Sequence, residues 1–262
     1  MIQIKFPDNS KRNFEKGTTV YEVAKSISEG LARNVLSAKY NNQVVEVSTP
    51  LDEDGEIQLF TWKNSEGKTA FWHSSAHVLA QAILILYPNA KLTIGPAIEN
   101  GFYYDVDFGD HSISEKELVD LEKKFLELSK QKFVFKMRNA TKNEALDFYK
   151  KEKNPYKVEL IENLQDGNIT FCDHSDFTDL CRGGHIPNTS FIKAVKLLNV
   201  AGAYWRGDEK NKQLTRIYGI SFPKQRELTE YLELIEEAKK RDHRKIGKEL
   251  ELFTFSKKVG QG

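Results

Sequence analysis

The chain has 262 residues, an ordinary apolar share of 39% and a formal net charge of +1. This length allows one large domain or two to three smaller ones, and the balanced charge does not by itself indicate a nucleic-acid partner. Two cysteines, Cys172 and Cys181, are too few for a disulfide framework and fit a reducing compartment. The first residues lack the pattern of a signal peptide, and no apolar run reaches the length of a membrane span, so we expect a soluble cytoplasmic protein with no membrane partner.

Residues 1–61 show the pattern of a small β-grasp unit. Residues 2–6 alternate between apolar and polar as in a strand, and Thr19 followed by Glu22 is a capping box that opens a helix. The side of this helix that we expect to be buried carries Val20, Val23, Ala24 and Ile27. Further short strands follow, the last at 56–60. Because the stretch contains no histidine or cysteine, it is predicted to bind or dock rather than to catalyse.

The next stretch brings the first candidate chemistry. Residues 63–68 are polar and contain glycine, which predicts a linker, and the sequence after them predicts a helix that stops at Pro88. His73 and His77 are four residues apart, so both imidazoles lie on one face of this helix. That face continues with apolar residues in the next two turns, so the pair is expected to open toward an apolar interior.

A second pair, Cys181 and His185, is separated by Gly183 and Gly184, which predicts a turn or an irregular loop. The chain has six histidines and two cysteines, and four of these eight residues fall in the two pairs. Brought together, they make a site that can hold a metal or act on a water molecule. The alternatives are two buried, hydrogen-bonded histidines and a cysteine that serves only as a small core residue.

The remaining elements are typical of a scaffold. A turn-rich run at 94–108 ends in an alternating strand, in which Tyr103 and Tyr104 point to opposite faces. Two further capping boxes predict amphipathic helices, at Ser114 with Glu117 and at Thr141 with Glu144. Strands are expected around 169–172 and within 190–222.

Basic and aromatic residues are mixed near the end of the chain, and the sequence after Pro223 predicts a long charged helix. Between residues 193 and 249 there are fourteen Lys and Arg against nine Asp and Glu, with Tyr204, Trp205 and Tyr218 interleaved. This mixture suits a phosphate backbone and exposed bases. A solvated surface with ordinary ion pairs explains it equally well.

Several runs together resemble the N-terminal half of a threonyl-tRNA synthetase, over essentially the whole chain. They are HSSAH (73–77), GFYYDVDF (101–108), CRGGH (181–185), AGAYWRGD (201–208) and RDHRKIGKELELF (241–253). The last two runs are long and specific, whereas the histidine and cysteine pairs are shared with alanyl-tRNA synthetases and free-standing relatives. The related run usually reads CRGPH, so Gly184 is a departure that loosens the loop before His185.

The resemblance implies an α+β chain of four parts. These are a ubiquitin-like β-grasp domain of the TGS type at 1–62, a larger α+β editing domain at 63–225, a connecting linker helix at 226–246 and the start of a class II catalytic core at 247–262. The rest of that core, with its ATP and zinc sites and its homodimer surface, is then absent. Ligation of threonine to tRNA is therefore not expected from this chain alone.

The implied activity follows from the substrate. Serine is threonine without one methyl group, and a missing methylene is worth only ~1–3 kcal/mol of discrimination in a pocket. The resemblance implies an editing site that corrects this error by hydrolysing serine from tRNA(Thr), whose acceptor end is the partner, with no cofactor required. Two alternatives remain open: a free-standing trans-editing aminoacyl-tRNA deacylase, and a non-catalytic RNA-binding regulatory module.

Matching positions carry the implied roles. The catalytic set is His73, His77, Lys157, Asp179, Cys181 and His185. Within it Lys157 stabilises the oxyanion or the terminal ribose, and Asp179 binds the substrate amino group. The implied substrate-binding residues are Tyr104, Gly95 and Arg182. A metal-free pocket is favoured for this family, and the rival arrangement is zinc held by His73, His77, Cys181 and His185.

Overall fold

The computed structural model describes residues 1–241, so the predicted start of a catalytic core at 247–262 and the last part of the predicted linker helix lie outside the described residues. The chain divides into two units, one of residues 1–223 and one from residue 224 onward. The N-terminal elements are β1 (Ile2–Lys5), β2 (Lys11–Phe14), β3 (Thr18–Thr19), α1 (Val20–Ile27), α2 (Glu29–Ala32), β4 (Val35–Tyr40), β5 (Gln43–Val45), β6 (Pro50–Leu51) and β7 (Gly55–Thr61).

These elements form a β-grasp, with five strands in the order β2-β1-β7-β4-β5 and β1 parallel to β7. Helix α1 begins at the predicted capping box, where the Thr19 hydroxyl accepts from the Glu22 N–H and the Glu22 carboxylate accepts from the Thr19 N–H. The predicted buried positions of α1 are buried except Ile27, which is 40% exposed. That prediction is wrong because α1 ends at Ile27 and the chain turns at Ser28 into α2.

A larger α+β arrangement follows. Its elements are α3 (Ser65–Leu86), β8 (Lys91–Leu92), β9 (Ala97–Ile98), β10 (Gly101–Asp107), α4 (Glu115–Ser129), β11 (Lys136–Ala140), α5 (Lys142–Lys151), α6 (Pro155–Glu162), β12 (Ile169–His174), β13 (Phe177–Leu180), β14 (Ala194–Tyr204) and β15 (Gln213–Phe222). An antiparallel sheet β14-β15-β10-β8, with β9 beside β10, packs against α3 and α4. A three-stranded sheet β11-β12-β13 shares an apolar core with α5 and α6. The predicted α+β class with an N-terminal β-grasp is confirmed.

The predicted linker at 63–68 is wrong, because α3 already begins at Ser65. Asn64 stabilises the turn between β7 and α3, because its Oδ1 accepts from the N–H of Thr61 at 2.9 Å. The chain therefore turns straight from β7 into the helix. Residues 65–68 of the predicted linker form the first turn of α3, in which Ser65 and Glu66 are exposed and Gly67 is buried.

Helix α3 is tied to the sheet by buried polar contacts. The Trp72 indole N–H donates to the carbonyl of Ser221 at 3.0 Å, and the Ser75 and Ser221 hydroxyls lie 2.7 Å apart. A buried polar group that loses its partner costs stability, so these contacts fix the rotation of α3. The direction in which His73 and His77 point is thereby set.

The later capping boxes differ from each other. At Ser114 both hydrogen bonds of the box form with Glu117, as predicted. At Thr141 the cap is one-sided: the hydroxyl accepts from the Glu144 N–H, but the Glu144 carboxylate accepts instead from Arg138 Nη1 at 2.7 Å. The predicted second box is therefore only half correct, because a competing cation takes its carboxylate.

The mixed basic and aromatic surface also differs from the expectation. Trp205 is buried beside Tyr156 and Leu214, and its indole N–H donates to Glu159 Oε2 at 2.9 Å. It cannot stack on an exposed base. Tyr204, one residue earlier, is 44% exposed.

The second unit contributes α7 (Gln225–Lys240), which agrees with the predicted helix after Pro223. Within residues 1–241, none of the helices combines the length and the apolar character needed to cross a bilayer.

Gly67, in the first turns of α3, tests how closely the helix approaches β7. A Cβ at this position would lie 2.0 Å from the carbonyl oxygen of Thr61. Replacing glycine by alanine inside a helix normally stabilises by up to ~1 kcal/mol. Here we expect Gly67→Ala to reverse that sign and to lower the free energy of unfolding by ~2 kcal/mol, because backbone atoms must move. Urea titration measures the change.

The matched control is Gly30→Ala in α2, where the nearest atom to an added Cβ is 3.9 Å away. We expect this variant to equal the parent or to exceed it slightly. Equal stabilities of the Gly67 and Gly30 variants would contradict the close approach.

Candidate functional site

The structure brings the two predicted pairs into one cluster. Helix α3 presents His73 and His77, and the loop that follows β13 presents Cys181 and His185. Cys181 Sγ lies 3.0 Å from His73 Nε2, 3.3 Å from His77 Nε2 and 3.2 Å from His185 Nε2. One thiol therefore contacts three imidazoles.

Backbone contacts hold the loop over the helix. The Cys181 N–H donates to the carbonyl of Thr170 on β12 at 3.0 Å, and the Ile186 N–H donates to the Ser74 hydroxyl of α3 at 3.0 Å. Between them Gly183 and Gly184 have φ values of +96° and +87°. Residues with a side chain rarely adopt this conformation, so the glycine pair allows the loop to fold back.

The cluster is organised around negative charge on sulfur. Burial alone would raise the pKa of the Cys181 thiol, but the charge of His77 and hydrogen bonds from His185 and His73 lower it well below its usual value. These contacts favour the ionised form of the sulfur.

The imidazoles respond in two ways. Burial acts to lower the pKa of both His77 and His185, but their neighbours raise it overall. For His77 these neighbours are Cys181 and Asp179. For His185 they are Cys172, Cys181 and Glu46. For His73 burial prevails and its pKa is lowered, with Cys181 offsetting this only in part. His73 is also the one half-buried member of the four. It is thus the imidazole best suited to stay neutral and to exchange a proton.

A second buried charge lies beside the cluster. Asp179, on β13, accepts from Lys157 Nζ at 2.5 Å, and Lys157 comes from the first turn of α6. Tyr104 of β10 donates to the same carboxylate at 2.8 Å, and His77 Nδ1 lies 3.3 Å from it. Burial would raise the pKa of Asp179, but Lys157 and His77 hold it well below its usual range. The sequence pattern alone had given Lys157 no role.

The three predicted substrate-binding residues have different positions. Tyr104 is 1% exposed and faces Asp179, whereas Tyr103 is on the opposite face of β10 under the guanidinium of Arg216, as the alternation predicted. Gly95 packs against the Tyr104 ring so closely that a Cβ would lie 2.2 Å from it. Arg182 is exposed and lies along the wall of the pocket described next.

A pocket of about 770 Å³ opens onto the cluster, within the size range of small-molecule sites. Its wall includes His73, His77, Lys157, Asp179 and Cys181. Two predicted residues, His185 and Tyr104, lie behind this wall. They act on the pocket only through Cys181 and Asp179, which they contact.

Three residues of the site were missed from the sequence. Glu46, from the β-grasp, contacts His185 Nδ1 at 3.2 Å. Tyr149, on α5, accepts from the backbone N–H that follows Asp179 and donates to that carboxylate. His174 is buried, and neither ring nitrogen has a partner among residues 1–241; burial lowers its pKa to about 3. No local spacing signals Glu46 or Tyr149, because each of their contacts joins segments distant in sequence.

Comparison with known proteins agrees with the fold. Residues 2–61 match the TGS domain family. Residues 169–218 match the family described as the threonyl and alanyl tRNA synthetase second additional domain. The second match includes the cysteine loop but not the histidine pair on α3. The chain thus contains one segment that matches a TGS domain and one that matches a second additional domain of threonyl and alanyl tRNA synthetases.

Relatives with high sequence identity over the whole chain are threonine–tRNA ligases. The chain is 66% identical to that of Flavobacterium johnsoniae and 65% identical to that of Flavobacterium psychrophilum, in each case over its whole length and 40% of the relative. It is 60% identical to that of Cytophaga hutchinsonii, over its whole length and 41% of the relative. The chain spans about two fifths of the length of these relatives. The predicted resemblance to threonyl-tRNA synthetases is confirmed.

The ion pair of Lys157 with Asp179 should be strongly coupled, because both side chains are at most 4% exposed. Breaking a buried pair leaves an unpaired charge, so Lys157→Met and Asp179→Asn should each lower the free energy of unfolding by ~3 kcal/mol. The double variant should lose clearly less than the sum of the single losses. Urea titration of all four proteins gives the coupling free energy.

The control pair is Lys5 with Glu56, which is nearly as close at 2.7 Å but exposed. Lys5→Met should cost less than ~1 kcal/mol. Additive losses at Lys157 and Asp179 would mean that the two charges do not depend on each other.

Proposed function

We propose that the chain hydrolyses the ester that links serine to tRNA(Thr), as the editing region of a threonine–tRNA ligase. The observation that carries this proposal is that His73, His77, Cys181 and Lys157 meet on the wall of a pocket of about 770 Å³, with His185 in contact with the same sulfur. Ester hydrolysis needs a positioned water, a proton acceptor and a group that stabilises the tetrahedral oxyanion. The pocket offers candidates for each.

His73 is the proposed proton acceptor. Its Nε2 faces the Cys181 sulfur at 3.0 Å, so we assign the hydrogen to Nε2 and the lone pair to Nδ1. Since the pKa of His73 is lowered, this nitrogen is free of a proton at neutral pH. A water in the pocket can then transfer its proton to His73 as it attacks the ester carbonyl.

Cys181 serves as an anchor rather than as a nucleophile in this proposal. Its sulfur contacts three ring nitrogens and lies 3.4 Å from the N–H of Gly183. A thiolate with this many donors has little electron density left for attack on an ester. Its charge instead fixes the orientation of the imidazoles.

Lys157 is the proposed electrophilic group. An ammonium group has three hydrogens, and the structure accounts for one, donated to Asp179. The others can reach the oxyanion or a hydroxyl of the terminal ribose. Asp179 already receives hydrogen bonds from Lys157, Tyr104, Tyr149 and its neighbouring backbone N–H. Binding of the substrate amino group would displace one of these donors. The proposed role of Asp179 is therefore to hold Lys157 and His77.

The zinc alternative fits by donor type, because one atom from each of His73, His77, Cys181 and His185 lies within 4.8 Å of the others. These four residues would hold the ion and, with four protein ligands, would close the site and give zinc a structural role. Nitrogen and sulfur ligands of tetrahedral zinc lie about 3.6 Å apart. Without an ion these contacts are hydrogen bonds of 3.0 to 3.3 Å. A closed zinc site would leave no open position for a catalytic water, so the proposed hydrolysis uses the metal-free site.

We further propose that the complete protein ligates threonine to tRNA with ATP, on a catalytic core that carries its own zinc and forms a homodimer. In that setting the acceptor end of serine-charged tRNA(Thr) is the partner of the pocket. We place the protein in the cytoplasm, where tRNA is charged.

Hydrolysis of charged tRNA tests the proposal. The chain should release serine from tRNA(Thr) much faster than it releases threonine. His73→Ala should lower the serine rate by about a hundredfold, because the proton acceptor is lost, while tRNA binding stays as in the parent. Rates come from loss of labelled amino acid, and binding from filter retention.

The control for this variant is His111→Ala, at an exposed histidine that pairs with Glu117. It should behave as the parent. Equal rates for His73→Ala and the parent would refute the role of His73, and binding without hydrolysis by the parent would favour the RNA-binding alternative.

Metal content is the second test. Purified protein should contain far less than one zinc per chain, and its rate of serine release should not change after EDTA treatment and dialysis. One equivalent of zinc together with loss of activity on chelation would instead establish the closed zinc site.

A further inference from the structure

The N-terminal β-grasp reaches into the site through Glu46, which directly follows β5. Its Oε1 accepts from the Gly184 N–H at 3.0 Å and lies 3.2 Å from His185 Nδ1. The carboxylate is 17% exposed, and the imidazole it contacts is fully buried. These residues are 138 and 139 positions apart in sequence, so the contact exists only because the two regions pack together.

The contact determines how His185 faces the sulfur. The two ring nitrogens of an imidazole differ, and an acceptor at one of them fixes the hydrogen there and the orientation of the ring. With Nδ1 donating to Glu46, Nε2 is directed at Cys181 Sγ, 3.2 Å away. The other group near Nδ1 is Cys172 Sγ at 3.8 Å, which is more distant.

Gly184 makes this contact available. Its φ of +87° is closed to proline, and proline has no N–H to donate. The CRGGH run therefore provides both the backbone conformation and the donor that Glu46 uses. The glutamate that accepts from this N–H lies 138 residues earlier in the sequence.

The β-grasp also supplies part of the pocket wall. Val44, on β5, lines the pocket, and its Cγ1 would lie 3.6 Å from a Cβ added at Gly184. The glycine loop is thus held from one side by Val44 and Glu46 and from the other by α3.

We propose that Glu46 is a positioning residue of the site, which holds the Gly184–His185 loop so that His185 Nε2 faces the Cys181 sulfur, and that the site is therefore complete only with the β-grasp in place. This proposal rests on the proposed hydrolytic function for its effect on rate, but not for its effect on His185.

The first experiment measures serine release from tRNA(Thr) by the full chain. Glu46→Ala should lower kcat about tenfold with KM within twofold of the parent, because Glu46 contacts the Gly184–His185 loop and is not among the residues that line the pocket. Glu46→Gln keeps an oxygen that accepts from both donors, so it should restore most of kcat. The control Glu15→Ala, at an exposed glutamate of the same region, should match the parent.

The second experiment does not depend on activity. Ring ¹⁵N chemical shifts of His185 at one fixed pH show which nitrogen carries hydrogen. In the parent and in Glu46→Gln, both ring nitrogens should carry hydrogen, Nδ1 toward residue 46 and Nε2 toward the Cys181 sulfur, and the Gly184 amide should be protected from hydrogen exchange. In Glu46→Ala the Gly184 protection should fall at least tenfold and the ring shifts should move.

The outcomes separate the two proposals. If the parent does not hydrolyse serine but the ring shifts change as described, the proposed function fails and the role of Glu46 stands. If Glu46→Ala keeps the ring shifts and the Gly184 protection of the parent, the role of Glu46 is overturned whatever the rates. Should Glu46→Ala not fold, Gly184→Ala carries the test, because strain at its positive φ should displace the loop and lower kcat in the same way; an unchanged kcat there overturns the proposal.

Discussion

The site depends on one constraint: a cysteine sulfur that is almost fully removed from water can carry negative charge only where donors surround it. An isolated buried charge is strongly unfavourable, so Cys181 can ionise only where cations and hydrogen-bond donors meet it. His73, His77 and His185 provide these contacts at 3.0 to 3.3 Å. The same sulfur in turn holds the three rings, so the geometry of the imidazoles and the charge of the thiol stabilise each other.

The fold meets this constraint by fixing α3 first. The helix is held near its start by the close approach of Gly67 to Thr61 and in its middle by Trp72 and Ser75 against β15. The Ser74 hydroxyl, on the same helix, accepts from the Ile186 N–H at the end of the cysteine loop. These contacts fix the rotation and the position of the helix. The glycine-containing loop can therefore bring Cys181 and His185 to it without a helix or strand of its own.

How much of the fold and the site can be predicted from the sequence depends on the range of each contact. Capping at Thr19, the β-grasp pattern and the facing of His73 with His77 are local, and they were predicted. The partner of Lys157 was not, because α6 and β13 meet only through tertiary packing. The helix start at Ser65 was missed because the first turn of α3 is polar, and a polar stretch that contains glycine is also typical of a linker. The residue roles at the site were implied by a resemblance, not by spacing.

Asp179 shows why the pocket can be selective. Its carboxylate gathers donors from α3, β10, α5 and α6, so four elements converge on one buried group. Moving any one of them would leave a charge without its donors, which makes this side of the pocket rigid. A rigid wall can discriminate by size, since a methyl group that does not fit cannot be accommodated by a shift of one element. For the proposed editing function, this rigidity is the property that rejection of a larger amino acid requires, and the same charge network also holds Lys157 and His77 in place.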